Sequence, residues 1–301
     1  MSPKTSFMKK IYILFASFLC LTAGSAMAQL NPMGAQFYMN QYLGNPALAG
    51  LDSGLNLTAG YRKQMASVPG APQNQAITAE YRFGRVGLGI NVYNEKAGLI
   101  KQTRTVATYA YHLPLNSTNH QLHFGLSMGF LNERIYEQDV VGTSGDVAIG
   151  ALNRREVYVD GDFGMAFTSN LLTVQGSLPN LKSLFKKDFR DAADRSTFYS
   201  AVSYKIVSGQ GISSVVVEPK VAFRGVKGFD NLWDAGAKVG LFGNTISAFA
   251  MYHNTNSVTF GFGALTLNRT LTFQGIYTTE TAALRGDTNG NFEINLRYRI
   301  F

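Results

Sequence analysis

The chain of 301 residues is poor in cysteine, tryptophan and charge, with one Cys, one Trp and charged side chains at 15%. Soluble globular domains usually carry about 25% charge. A single cysteine excludes a disulfide scaffold and a thiolate metal cage. Successive apolar runs of about 20 residues are also missing, which excludes a polytopic helical membrane protein. Mean hydropathy is accordingly only −0.02. The formal charge of +8 is spread without a lysine or arginine block, so nothing points to nucleic acid as a partner. His112, His120, His123 and His253 have no third ligand at metal spacing and read as surface or lumen histidines. No G-x-S-x-G surrounds Ser200, Ser203 or Ser213. The glycine pattern at 84–90, GRVGLGI, continues to alternate where a dinucleotide fingerprint needs a helix. The chain therefore reads as non-enzymatic and without a cofactor or metal.

What is abundant is glycine (31), phenylalanine (21) and tyrosine (15). That aromatic content argues against disorder, and with few charges it suits an all-β protein. At the N-terminus, Lys4, Lys9 and Lys10 precede an apolar run over 11–21, and Ala26-Met27-Ala28 closes it. Basic, apolar and small-residue regions in that order predict a cleaved signal peptide over 1–28, with Gln29 as the first mature residue. Its removal takes away Cys20 and those three lysines.

Beyond residue 52, apolar and polar residues alternate with period two. Leu55, Leu57, Ala59 and Tyr61 oppose Asn56, Thr58, Gly60 and Arg62. Ile77, Ala79, Tyr81 and Phe83 oppose Thr78, Glu80 and Arg82, and the pattern recurs to Phe292, Ile294, Leu296, Tyr298 and Ile300. Counting such segments predicts about fourteen strands of about ten residues, long enough to cross a bilayer. Connections are mostly short at one end, such as Gly84-Arg85 and Ser169-Asn170, and mostly long at the other. That asymmetry predicts a transmembrane antiparallel β-barrel, with residues 53–301 as the barrel. Residues 29–52, with Pro32 and Pro46, are expected to be irregular. They could enter the barrel mouth as a plug or remain a periplasmic tail.

Four strings stand out in order: QFYMNQYLGNPALAG at 36–50, YRKQMASVPGAP at 61–72, YNEKAG at 93–98 and FEINLRYRIF at 292–301. Together they closely resemble the PorP/SprF family of type IX secretion membrane proteins. Met65 stands where that family usually has Trp, and Glu95 where Asp is usual. The resemblance implies a multi-pass outer-membrane component of secretion and gliding machinery, surrounded by outer-membrane lipid. It further implies docking or retention of a secreted adhesin through its type IX C-terminal domain, and links to periplasmic secretion-motor or peptidoglycan-binding components. A FadL-like plugged barrel carrying hydrophobic or small solutes is the alternative.

The candidate partner-binding residues follow from these strings and from the long loops. Asn45 and Pro46 form a turn, and Tyr61, Arg62 and Gln64 lead into the first long loop. Pro69, Gly70 and Pro72 make that loop's stiff apex. Asn94 and Glu95, with Lys96 and Gly98, read as the turn of a second long loop. Arg154 and Arg155 in the loop at 132–156, and Arg190 and Arg195 in the loop at 177–196, could meet acidic partner groups.

Overall fold

The computed structural model describes residues 35–115, 119–135, 158–181, 196–226, 230–266, 268–280 and 288–300. The expected signal peptide and the four loop arginines (154, 155, 190 and 195) lie outside these residues.

The strands run β1 (Gly54–Lys63), β2 (Gln73–Phe83), β3 (Val86–Ala97), β4 (Ile100–Pro114) and β5 (Gln121–Ile135). They continue as β6 (Tyr158–Thr168), β7 (Leu172–Leu178), β8 (Ser196–Tyr204), β9 (Ile206–Ser208) and β10 (Val215–Val226). The chain ends with β11 (Leu232–Leu241), β12 (Ile246–His253), β13 (Ser257–Leu265), β14 (Leu271–Thr278) and β15 (Asn291–Ile300). Each strand pairs antiparallel with its sequence neighbours, except that β8 and β9 both pair with β10. They are one strand, broken at Lys205 opposite the stretch containing Pro219, which has no N–H to give the ladder. β15 closes on β1, from Leu55 opposite Ile300 to Lys63 opposite Phe292. The result is a closed barrel of fourteen strands with no free edge.

Alternation is inside-out relative to a soluble protein. Asn56, Thr58, Thr78, Glu80, Thr108 and Asn295 are buried, whereas Ile77, Ile90, Leu126, Met128 and Ile294 are exposed. A polar interior and an apolar outer band are what a membrane barrel requires. Among the described residues no helix is long and apolar enough to cross a membrane, so the crossing is made by strands. Outward aromatics gather near the strand ends at the long-loop side: Trp233 beside Tyr252, Phe198 beside Phe223, and Tyr277 beside Phe292. Tyr81, Phe83 and Tyr298 lie toward the short turns. These two groups fit the girdles that flank the apolar band of such barrels.

Asn94, Glu95 and Lys96 lie in β3, not in a loop, paired with Thr103, Gln102 and Lys101 of β4. Only Gly98 and Leu99 turn the chain, and Gly98 takes a φ of +57° that a side chain would disfavour. Strand pairing overrode the local turn chemistry, because neighbouring ladders fix these residues on both sides.

Candidate functional site

Residues 35–52 run through the lumen from the long-loop half of the barrel to the short-turn end. Two short 3-10 turns, Gln41–Leu43 and Pro46–Leu48, shape the path. Asn45 caps the second: its Oδ1 accepts from the Ala47 N–H at 3.0 Å, while Pro46 takes a position that needs no N–H. The same side chain reaches the wall, donating from Nδ2 to the carbonyls of Met165 at 3.0 Å and Gly176 at 3.3 Å. Pro46 and Ala47 approach the wall so closely that only glycine fits opposite them. A Cβ at Gly125 would lie 2.2 Å from the Ala47 nitrogen, and one at Gly164 2.0 Å from Asn45 Oδ1. Asn45→Ala should therefore cost about 2 kcal/mol, from the lost cap and the lost wall bonds. Asn45→Asp should not restore stability, because it sets a carboxylate against two carbonyls. The urea midpoint of the folded barrel in micelles reads both outcomes.

The inward charges hold this segment. Glu293 accepts from the Ala35 N–H at 3.0 Å, and Glu80 from the Gly50 N–H at 3.1 Å. Lys220, 1% exposed, donates to the Phe37 carbonyl at 2.6 Å and to Gln41 Oε1 at 3.0 Å. Its ammonium also lies 4.7 Å from the Tyr38 ring centre. Arg297 donates to the Met39 carbonyl at 3.1 Å and pairs with Asp52 at 2.7 Å, which Arg299 also reaches at 3.0 Å. Burying such groups is tolerable because each finds a hydrogen-bonding partner. Burial also pushes the Tyr38 and Tyr42 phenols well above their usual value, so both keep their hydroxyl protons.

Two histidine arrangements lie on the lumen wall. His112 and His123 meet at Nδ1 across 2.6 Å, with His112 Nε2 near the Ala49 carbonyl at 3.1 Å and His123 Nε2 near Thr168 Oγ1 at 2.8 Å. At that contact one ring donates and the other accepts. On the far wall Arg224 grips Asp234 at 2.9–3.1 Å, and Asp234 bonds His253. His253 Nε2 continues to Thr259 Oγ1 at 2.7 Å, and Thr259 to Thr278 at 2.7 Å. Carboxylate, imidazole and hydroxyl stand in the order that activates a nucleophile. However, Phe37 packs against the imidazole at 5.9 Å and Thr259 is 1% exposed, so the chain of bonds braces two walls against the lumenal segment. Among the described residues no group of three His, Cys, Asp or Glu could hold a metal ion.

At the long-loop end a second set of bonds joins the first loop to the β3–β4 hairpin. Gln64 donates to Asn74 at 2.8 Å, Asn74 to the Tyr93 hydroxyl, and Tyr93 to Glu95 at 3.1 Å. Above them the Gly98 N–H donates to the Gly70 carbonyl at 2.9 Å, so loop and hairpin form one knuckle. Pro69 and Gly70 are exposed at its apex and Pro72 is half-buried, its carbonyl accepting from the Gln64 N–H. Val68, Leu99 and Ile100 present exposed apolar surface beside them. Arg62 is half-buried, and Tyr61 faces outward, its hydroxyl donating to Gln73. Asn94 also lies on the outer face and bonds Gln75 and Thr103.

The structure thus brings Gln64, Gly70 and Glu95 together, and puts Asn45 and Pro46 well away in the lumen. Sequence reasoning missed Asn74 and Tyr93, which connect the rim. It also missed the Arg224–Asp234–His253 brace, whose members are adjacent only through strand register.

The fold and its inverted polarity define a multi-pass outer-membrane β-barrel. The pattern of the family described as "Type IX secretion system membrane protein PorP/SprF" matches residues 26–298, and the chain belongs to that family. It is thereby an outer-membrane component of the type IX secretion system, a family of membrane proteins and not a known enzyme family. No curated protein matches it. Similar solved structures include the Acinetobacter baumannii outer membrane protein Omp33, at 9% identity and a TM-score of 0.49, covering 83% of this chain and 100% of that one. The Ralstonia pickettii toluene transporter TbuX is 10% identical with a TM-score of 0.49, covering 93% and 96%. The CymD monoaromatic hydrocarbon channel is 12% identical with a TM-score of 0.48, covering 93% and 98%.

Proposed function

We propose that this barrel docks or retains a secreted adhesin at the cell surface and links it to periplasmic machinery, without catalysing a reaction. The observation that carries this reading is the knuckle at the long-loop end. There Val68, Leu99 and Ile100 are exposed on a base stiffened by the Gln64–Asn74–Tyr93–Glu95 chain and the Gly98–Gly70 bond. Exposed apolar groups on a rigid, preorganised support favour a protein partner over a mobile solute. In this reading the long loops face outward and receive the adhesin's C-terminal domain, with Arg154, Arg155, Arg190 and Arg195 meeting its acidic groups. The short turns face the periplasm, where motor or peptidoglycan-binding partners engage. Residues 1–28 act as the export signal, and residues 29–52 act as a plug.

Transport of hydrophobic or small solutes is the competing reading. The lumenal segment, held by Lys220, Glu80, Glu293 and Arg297, speaks against an open path. Pull-down of secreted type IX adhesins by the intact barrel, compared with Val68→Asp and Leu99→Asp, tests docking. Capture should fall about tenfold or more if these residues anchor the interface. Equal capture by both variants, or normal export, attachment and movement of every adhesin after gene deletion, would sink the proposal. Liposome swelling by the wild-type barrel would favour transport instead.

A further inference from the structure

The outward face at the long-loop end carries a pattern that adhesin docking does not use. Lys63, Gln73, Lys96, Lys101 and Arg134 are successive ladder partners, forming one row across β1 to β5. Their sequence neighbours Arg62, Asn74, Glu95, Gln102 and Glu133 form the matching row on the inner face. The next outward row toward the short turns is Tyr61, Gln75, Asn94, Thr103 and Asn132. It is tied together by bonds from Asn94 to Gln75 and from Thr103 to Asn94. The row after that is Ala59, Ile77, Val92, Thr105 and Phe130, where Ile77 and Phe130 are well exposed on the membrane-facing side.

Successive rows on one face lie about 7 Å apart along the strands. Leaving the apolar band, the surface passes from hydrocarbon side chains to amides and hydroxyls, and then to four cations. A lipid leaflet has the same order, from acyl chains through the polar linkage region to headgroup phosphates. Long lysine and arginine stems can lie along the apolar wall and hold their charges at phosphate level. Within the row Lys96 is the ladder partner of Lys101, and Lys101 of Arg134, so three cations stand side by side on adjacent strands. On the other side of β1 the outward residues are Phe292 and then Tyr277, so the cations occupy one sector of the barrel.

We propose that Lys63, Lys96, Lys101 and Arg134 form a site for the phosphate groups of anionic lipid headgroups in the leaflet around the long-loop mouth. The test uses the full mature barrel in zwitterionic micelles, titrated with lipid A, phosphatidylglycerol or phosphatidylcholine, with retained lipid counted by native mass spectrometry. Lipid A and phosphatidylglycerol should be retained in preference to phosphatidylcholine. Each cation near an anionic surface contributes about fivefold, so the triple variant K96Q/K101Q/R134Q should bind about 100-fold more weakly. The charge-conserving K96R/K101R should bind as the wild type does, as should Arg85→Gln at the short-turn end. Heat-modifiable migration on gels checks that each variant is folded.

Retention of phosphatidylcholine equal to that of the anionic lipids would overturn the site. So would an unchanged triple variant, or inorganic phosphate alone binding as tightly as lipid A. A triple variant that keeps its lipid but loses capture of an acidic adhesin segment would assign the row to a protein partner instead.

Discussion

Replacing Asp234 with alanine is expected to destabilise the barrel by about 3–5 kcal/mol, the usual result of stripping one partner from a buried ion pair. Asp234 is 1% exposed, takes a two-pronged bond from Arg224 and binds His253 on the neighbouring strand. Without the carboxylate, the Arg224 guanidinium remains under the Phe37 ring, 5.9 Å from its centre, with its charge uncompensated. His253 meanwhile loses the acceptor that orients it. Asp234→Asn should also be costly, because it keeps the shape and removes the charge. The double variant Arg224→Met, Asp234→Ala should recover much of the loss, since neither charge is then buried. Urea midpoints of the wild type, Asp234→Ala, Asp234→Asn, Arg224→Met and the double variant in one detergent check these outcomes and close the cycle. A single variant with the wild-type midpoint would mean that the brace contributes nothing.

The second large effect is expected from the lumenal glycines. Gly125→Val and Gly164→Val put branched side chains where Pro46, Ala47 and Asn45 now lie. Accommodating them by strain costs about 1–3 kcal/mol at each position. The cheaper response is for residues 45–48 to leave the wall, which forfeits the Asn45 bonds and loosens the segment on both sides. The outer face and strand ladders are untouched, so the double variant should still migrate as a folded barrel. It should also become cleavable by added protease between residues 36 and 52, and its ion conductance across planar bilayers should rise above that of the wild type. A protection pattern identical to wild type would show that the lumen has more room than these contacts imply.

Much of the barrel was legible in the sequence, for a physical reason. A strand between lipid and a polar lumen must alternate, and alternation is a local property that survives without any knowledge of partners. Even where alternation is less regular, at 245–254 and 258–265, the chain forms β12 (Ile246–His253) and β13 (Ser257–Leu265). Local turn chemistry failed at Asn94 to Lys96, where pairing on both sides of β3 outweighed turn propensity. The rim was partly legible: Gln64, Gly70 and Glu95 stood out as motif residues, but Asn74 and Tyr93, which bind them together, carry no distinctive local signal.

What the chain's lacks determined by themselves was the class of protein. Few charges, no long apolar run and abundant glycine and aromatics leave a barrel that hides its polar groups inside and shows its apolar ones to lipid. Only the tertiary structure decided what those hidden polar groups do. Lys220, Glu80, Glu293 and Arg297 look in sequence like members of a solvated face. Barrel closure places them around residues 35–52, where they bond that segment's backbone. Their partners lie up to 258 positions away in the chain. Alternation tells which face a side chain takes, but register and closure determine what it meets there.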